Sequence, residues 1–278
     1  TSPTVLVYSW FGGNYVPTAE YYEADNVPVW ALPDGIGRKV RKALNLAVDR
    51  QEIQNTLLGG RGAVMPVSFY ADHLRGWDPS WTERFEVDYR YDPVRAKELL
   101  AEVEAELGEP IDWSDYVFLL TPRASLGNLV DVGEAVANYW QDIGVPIGIE
   151  EREFVYFMEK MLAGDIERVA WADATPWRST DTEQLKILYV SKEKGGCCNM
   201  YENQFIEDRY DQFLATVSLD ERDRLMREIG EHLFTEYASL PLFSFHSEYV
   251  VNPEVVAGYD TSGLRPPRHL EYVKAVMK

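Results

Sequence analysis

The sequence predicts an α/β fold, a sheet with parallel strands flanked by helices. Between residues 116 and 171 the apolar period switches in the order strand–helix–strand–helix–strand. That order calls for parallel neighbours joined by right-handed crossovers. The helices also carry their own punctuation, with Asp92-Pro93 at a start and Gly108, Gly144 and Gly164 at stops. Finally, 278 residues of which 46% are hydrophobic are enough to bury a sizeable core.

Taken in order, Val5 to Phe11 is β-branched and aromatic and ends at Gly12-Gly13-Asn14, which predicts a buried strand and a turn. Val40, Leu44, Ala47, Val48, Ile53 and Leu57 recur at helical spacing and predict one helix over 36–58, stopped by Gly59-Gly60. Residues 61–91 show no clear period and read as a loop. Asp92 caps the clearest helix, whose stripe is Val94, Leu99, Leu100, Val103 and Leu107. A strand over 116–121, a helix over 128–143, a strand over 145–149, a helix over 154–163 and a strand over 168–171 follow. Beyond a loop over 172–181 come a helix over 182–189, a loop around Cys197-Cys198-Asn199, helices over 203–217 and 220–237, and a strand over 240–246.

Net charge is 27 − 46 = −19. Such a field repels phosphate backbones, so nucleic acid is not an expected partner. No apolar run approaches the roughly 20 residues that span a bilayer, and Thr1-Ser2-Pro3-Thr4 carries no charged stretch leading into an apolar one. The two cysteines are adjacent, and neighbouring Cα atoms lie about 3.8 Å apart, short of the roughly 4.4–6.8 Å of ordinary disulfides. Two free thiols are the expected state. No catalytic signature is present: no G-x-S-x-G, no Walker A loop, and four histidines too scattered for a zincin motif. No catalytic residue, metal or cofactor is assigned.

The stretch Val40-Arg41-Lys42-Ala43-Leu44-Asn45-Leu46-Ala47-Val48-Asp49-Arg50-Gln51-Glu52-Ile53 matches the pattern V-R-x-A-L-x-x-A-I-D-R-x-x-I except for Val48. Further along stand Tyr91-Asp92-Pro93 with Ala96-Lys97 and Leu99-Leu100, Trp140 with Ile143-Gly144-Val145, Trp171-Ala172-Asp173, Tyr210-Asp211, Leu240-Pro241-Leu242-Phe243 and Gly258-Tyr259. In this order they resemble the family 5 solute-binding proteins, the oligopeptide, dipeptide and nickel binders of ABC importers.

The resemblance implies a periplasmic-binding-protein-like fold of type II, of which this chain supplies the C-terminal lobe and part of the first. Residues 1–35 would be the returning strand and hinge segment of lobe I, 36–239 the C-terminal lobe and 240–278 the return to lobe I. It implies an extracytoplasmic protein, periplasmic or anchored at the cell surface. Its partners would be a membrane permease, an N-terminal lobe encoded upstream, and a small solute, a peptide or an oligosaccharide. The lobes would close on the solute by hinge motion, with a peptide's main chain hydrogen-bonded and its termini held by one carboxylate and one cation.

Open α/β sheets bind ligands at the carboxyl ends of their strands, which points to the loop after residue 171. There Asp173 or Asp181 is placed to accept an α-amine, Arg178 to pair a carboxylate, and Trp171 and Trp177 to stack on a sugar or a side chain. The resemblance implies that the family's acidic residue sits in a D-P pair at this loop, and residues 172–181 hold no such pair. Asn199 offers a second candidate position and Arg123, after the strand over 116–121, a third. The plainer alternatives are Trp171 as core, Arg178 as a surface charge and the Asn199 loop as a connector. An oligosaccharide binder is suggested by 8 Trp and 17 Tyr, and a hydrolase only by the surplus of carboxylates.

Overall fold

Six strands form one mixed sheet: β1 (Pro3–Phe11), β2 (Ala63–Val64), β3 (Val117–Leu120), β4 (Gly148–Glu151), β5 (Val169–Pro176) and β6 (Ser239–His246). They are arranged in the order β2-β6-β1-β5-β3-β4. The structure, a computed structural model, describes residues 3–72, 74–123, 125–176, 186, 188–196, 200–246, 252–259 and 273–275. β3 runs parallel to both β4 and β5, whereas β1 is antiparallel to β5 and β6. β1 turns Leu6, Tyr8 and Trp10 into one core and Val7 and Phe11 into the other. A strand covered on both faces reads as an unbroken apolar run, which is how it appears in the sequence.

Helices cover both faces. On one lie α1 (Ile36–Leu46), α2 (Arg50–Thr56), α4 (Pro93–Leu107) and α5 (Leu129–Asp142), around Leu44, Val103, Trp140 and Phe118. On the other lie α3 (Ser80–Asp88), α6 (Phe154–Ala163), α7 (Gln204–Ala215) and α8 (Leu219–Thr235), around Trp81, Phe157, Ile206 and Phe234. A small hairpin, β7 (Val256–Tyr259) with β8 (Val273–Ala275), stands apart from the sheet.

The α4 caps form as the sequence predicts. The Asp92 carboxylate accepts from the Arg95 N–H at 2.9 Å, and Gly108 is left-handed with φ 78°. Other expectations need correcting. The helix expected over 36–58 is two helices, because Asp49 takes an extended conformation and caps a new one by accepting from the Glu52 N–H. The loop expected over 61–91 contains β2 and α3, the latter anchored by Trp81 and Phe85 one turn apart. β4 begins at Gly148 rather than 145, because Pro146 has no N–H to give a ladder. β5 runs on past Trp171 to Pro176, because β1 continues to pair with it after β3 has ended. Of the helix expected over 182–189, only Lys186, Leu188 and Tyr189 are among the described residues.

β1 and β6, which the resemblance assigns to segments outside residues 36–239, are paired at the middle of this sheet, with Pro3 opposite His246. β1 therefore begins and β6 ends at the same sheet edge, on neighbouring strands. That edge is also where β5 ends, since Val5 faces Pro176.

Candidate functional site

At this edge β3 stops pairing with β5 at the register Leu120↔Ala172. The next residue of β5, Asp173, still pairs with Tyr8 of β1 but has lost its β3 partner, and on that side its own side chain takes over. The Oδ1 atom accepts the Ala174 N–H at 2.8 Å. The Ala174 carbonyl in turn accepts from the Ser125 hydroxyl, on the chain leaving β3. The divergence of two parallel strands thus opens a notch, closed at its base by side chains instead of backbone.

Arg123, three residues past β3, reaches into this notch. Its Nε lies 2.7 Å from Asp173 Oδ1 as an ion pair, and its Nη2 donates to Oδ2 at 3.5 Å. Thr175 Oγ1 donates to Oδ2 at 2.6 Å and Tyr8 Oη, from β1, at 3.3 Å. The Asp173 side chain is only 3% exposed, against 19% for Arg123. Burial pushes the Asp173 carboxyl above its ordinary range, and Arg123, Thr175, the Ala174 N–H and Tyr8 pull it back in part. Burial also holds the Tyr8 hydroxyl well above the usual phenol range, so it stays a donor.

The two groups are not equivalent toward a ligand. Asp173 is covered and already accepts hydrogen bonds on both oxygens. Arg123 is half-held: the Phe154 ring at the start of α6 covers its guanidinium at 3.9 Å, and its N–H groups not aimed at Asp173 meet no acceptor among the described residues. An arginine oriented by a buried carboxylate and an aromatic face is prepared to grip a planar anion such as a carboxylate.

Asp173 and Arg123, separate candidates in the sequence, are brought together. Trp171 lies beneath them rather than beside them. It is buried, stacks on Phe157 with ring centroids 3.6 Å apart and donates to Thr121 Oγ1 at 3.0 Å, so its faces are occupied by protein. Trp177, Arg178, Asp181 and Asn199, with Cys197 and Cys198, lie outside the described residues. Sequence reasoning missed Tyr8, Ser125, Phe154 and Thr175. Only Thr175 had a local signal, two residues past Asp173 and on its face of the strand; Tyr8 meets Asp173 across 165 residues of chain.

Residues 26–195 match the family model described as "Bacterial extracellular solute-binding proteins, family 5 Middle". The chain belongs to solute-binding protein family 5. Over 132 residues it is 32% identical to Heme-binding protein A of Haemophilus influenzae, a match covering 46% of this chain and 22% of that one. Among solved structures, the oligopeptide-binding protein AppA of Bacillus subtilis, in complex with a nonapeptide, superposes with a TM-score of 0.68 at 15% identity, over 100% of this chain and 52% of that one. NikA of Brucella suis, in complex with Fe(III)-EDTA, gives 0.65 at 16% identity, over 99% and 51%. The chain thus spans about half the length of these solved family 5 proteins. Their fold, the type II periplasmic-binding-protein fold, is the one expected from the motifs. Family and fold are those of binding proteins. Among the described residues no helix is long and apolar enough to cross a membrane.

Proposed function

We propose that this family 5 chain is the solute-gripping lobe of an extracytoplasmic binding protein that delivers a small carboxylate-bearing solute, in the first instance a short peptide, to an ABC permease. The observation carrying this reading is Arg123, pinned on Asp173 and Phe154 beside the carboxyl ends of β3 and β5, with N–H groups that meet no acceptor among the described residues. An α-carboxylate docks on those groups. Asp173 acts first as the orienting group for Arg123, and an α-amine reaches it only by displacing one of its present donors. The ligands named for the relatives share this chemistry, since a nonapeptide, heme and Fe(III)-EDTA all carry carboxylates.

The missing partner in this reading is a second lobe, tethered through the neighbouring strands at Pro3 and His246 and closing over the notch. The protein performs no reaction; closure and release are its work. An oligosaccharide fits less well, because Trp171, one of the two tryptophans proposed to stack on it, is covered on its faces by protein.

Calorimetry on the intact protein tests this, using di- and tripeptides as free acids, the same peptides as C-terminal amides, and oligosaccharides. Free acids are expected to bind and amides to lose about 10- to 100-fold, the worth of one charged hydrogen-bonding pair. Equal binding of acids and amides, or binding of oligosaccharides alone, overturns it.

A further inference from the structure

We infer that Phe69 is a positioning residue for this site: a left-handed backbone drives its ring against Tyr8 and thereby keeps the Tyr8 hydroxyl on Asp173. The inference rests on the solute-binding reading above and adds to it a residue of the irregular segment between β2 and α3.

Phe69 has φ 68°. A bulky residue adopts that conformation only when its surroundings impose it, and such positions cluster where geometry matters to function. Here both neighbours are tied down. Ser68 shares a hydroxyl hydrogen bond with Ser239 at 2.8 Å, and its carbonyl accepts from Tyr189 Oη at 3.4 Å. Tyr70 Oη donates to the Met226 carbonyl at 2.7 Å. Between these anchors the chain has no slack, and the buried Phe69 ring is turned to the sheet.

There it meets Tyr8 edge-on, with ring centroids 4.7 Å apart and planes at 65°. The second ring against it is Tyr189, at 6.4 Å. Tyr8 sits in β1 with its hydroxyl within 3.3 Å of Asp173 Oδ2 and 3.4 Å of Thr175 Oγ1. Those are long contacts for a hydroxyl donor, so the hydrogen bond to Asp173 depends on what holds the Tyr8 ring in place. The chain of contact is Phe69 to Tyr8 to Asp173 to Arg123, and only its last member is open to a solute.

The test is an acid titration of the Asp173 carboxyl by carbon-13 NMR in the intact, solute-free protein. Among the described residues, the charged or titratable groups facing this carboxyl are Arg123 and Tyr8, with Tyr189 beside Tyr8. Tyr8 donates to the ionised carboxylate, so Tyr8→Phe raises the Asp173 midpoint, by up to about one pH unit for one hydrogen bond. Phe69→Ala is expected to raise it as far, and the double variant no further. In calorimetry, each single variant and the double weaken a free-acid peptide by the same factor, about fivefold, since they share one hydrogen bond.

A Phe69→Ala midpoint equal to wild type, or a shift that adds in full to that of Tyr8→Phe, overturns the inference. If Phe69→Ala fails to fold, Phe69→Gly removes the ring while relieving the left-handed backbone and gives the same readout. The titration needs no solute, so the two readings fail separately. Coupling without peptide binding sinks the proposed solute and leaves Phe69 in its role; peptide binding without coupling does the reverse.

Discussion

Arg50 and Arg123 are both largely buried arginines, and their surroundings separate structure from function. Arg50 donates to the Pro241 carbonyl at 2.8 Å, the Asn45 carbonyl at 3.1 Å and Asn45 Oδ1 at 2.8 Å, with the Phe85 ring 5.2 Å away. No carboxylate pairs with it among the described residues, and burial lowers its pKa to about 10. Every edge of this guanidinium is committed to holding α1, α2 and β6 together. Arg123 has a carboxylate on one edge, a ring on one face and an edge that meets no acceptor among the described residues. The residue in the family's signature helix is therefore a strut, and the one outside the family's motifs is, in the proposed function, the gripping group. A recognisable pattern in the sequence reports what the fold cannot do without, which is not the same as what touches the ligand.

The largest effect that would sharpen this contrast is on stability. Arg50→Met strands several buried carbonyls and is expected to cost about 3 kcal/mol in urea denaturation, with peptide affinity of the folded fraction unchanged. A loss below about 1 kcal/mol would mean the strut role is wrong. Arg123→Ala should act on binding as well, reducing free-acid peptide affinity about 10- to 100-fold. It also destabilises by roughly 2 kcal/mol, because Asp173 is left as an unpaired buried charge. Adding Asp173→Asn to that variant should recover the stability and not the affinity; recovery of both would dissolve the distinction.

Glu202, at the opposite end of the sheet, extends the comparison to a buried carboxyl that pairs with no cation among the described residues. It accepts from Tyr21 Oη and the Val16 N–H, has Glu193 and Glu207 nearby, and is raised to about 7, first by burial. Its unfolded value is about 4.3. The folded state therefore takes up the proton between the two values, so stability rises as pH falls from about 7 towards 4.3, and the penalty is fully present above 7. Denaturation of wild type and Glu202→Gln across pH 5 to 8 should show their difference changing by about 2 kcal/mol, with the glutamine variant the better at high pH. A difference that stays flat would show the carboxyl is not held neutral. The smallest effect is expected at Thr175→Val, which removes one donor from Asp173 and should cost about 1 kcal/mol of stability at neutral pH.

Much of the architecture could be read before any coordinates, wherever the signal was local. α4 declared itself through Asp92, Pro93 and Gly108, and α6 through Gly164. α3 did not, because its buried positions are two aromatics and Val87, on the same short helix, is exposed. The break at Asp49 was hidden by apolar residues that keep helical spacing on both sides of it. For the site, the rule about carboxyl ends of parallel strands led to Asp173 and, less firmly, to Arg123. Their partnership was invisible, since it depends on β3 and β5 being neighbours, and Tyr8 and Phe69 enter only through β1, a pairing that no nearby residue announces.

One feature of the sheet has a mechanical meaning. At the edge beside Arg123, β1 begins and β6 ends as one antiparallel ribbon joined by its own ladder, Pro3 against His246. A paired ribbon bends readily out of its plane and resists sliding lengthwise or skewing sideways. In the proposed function, a second lobe borne on that pair of strands would nod toward the guanidinium and away again without arriving askew. The paired strands themselves would then align it over the solute, before any contact across the gap was made.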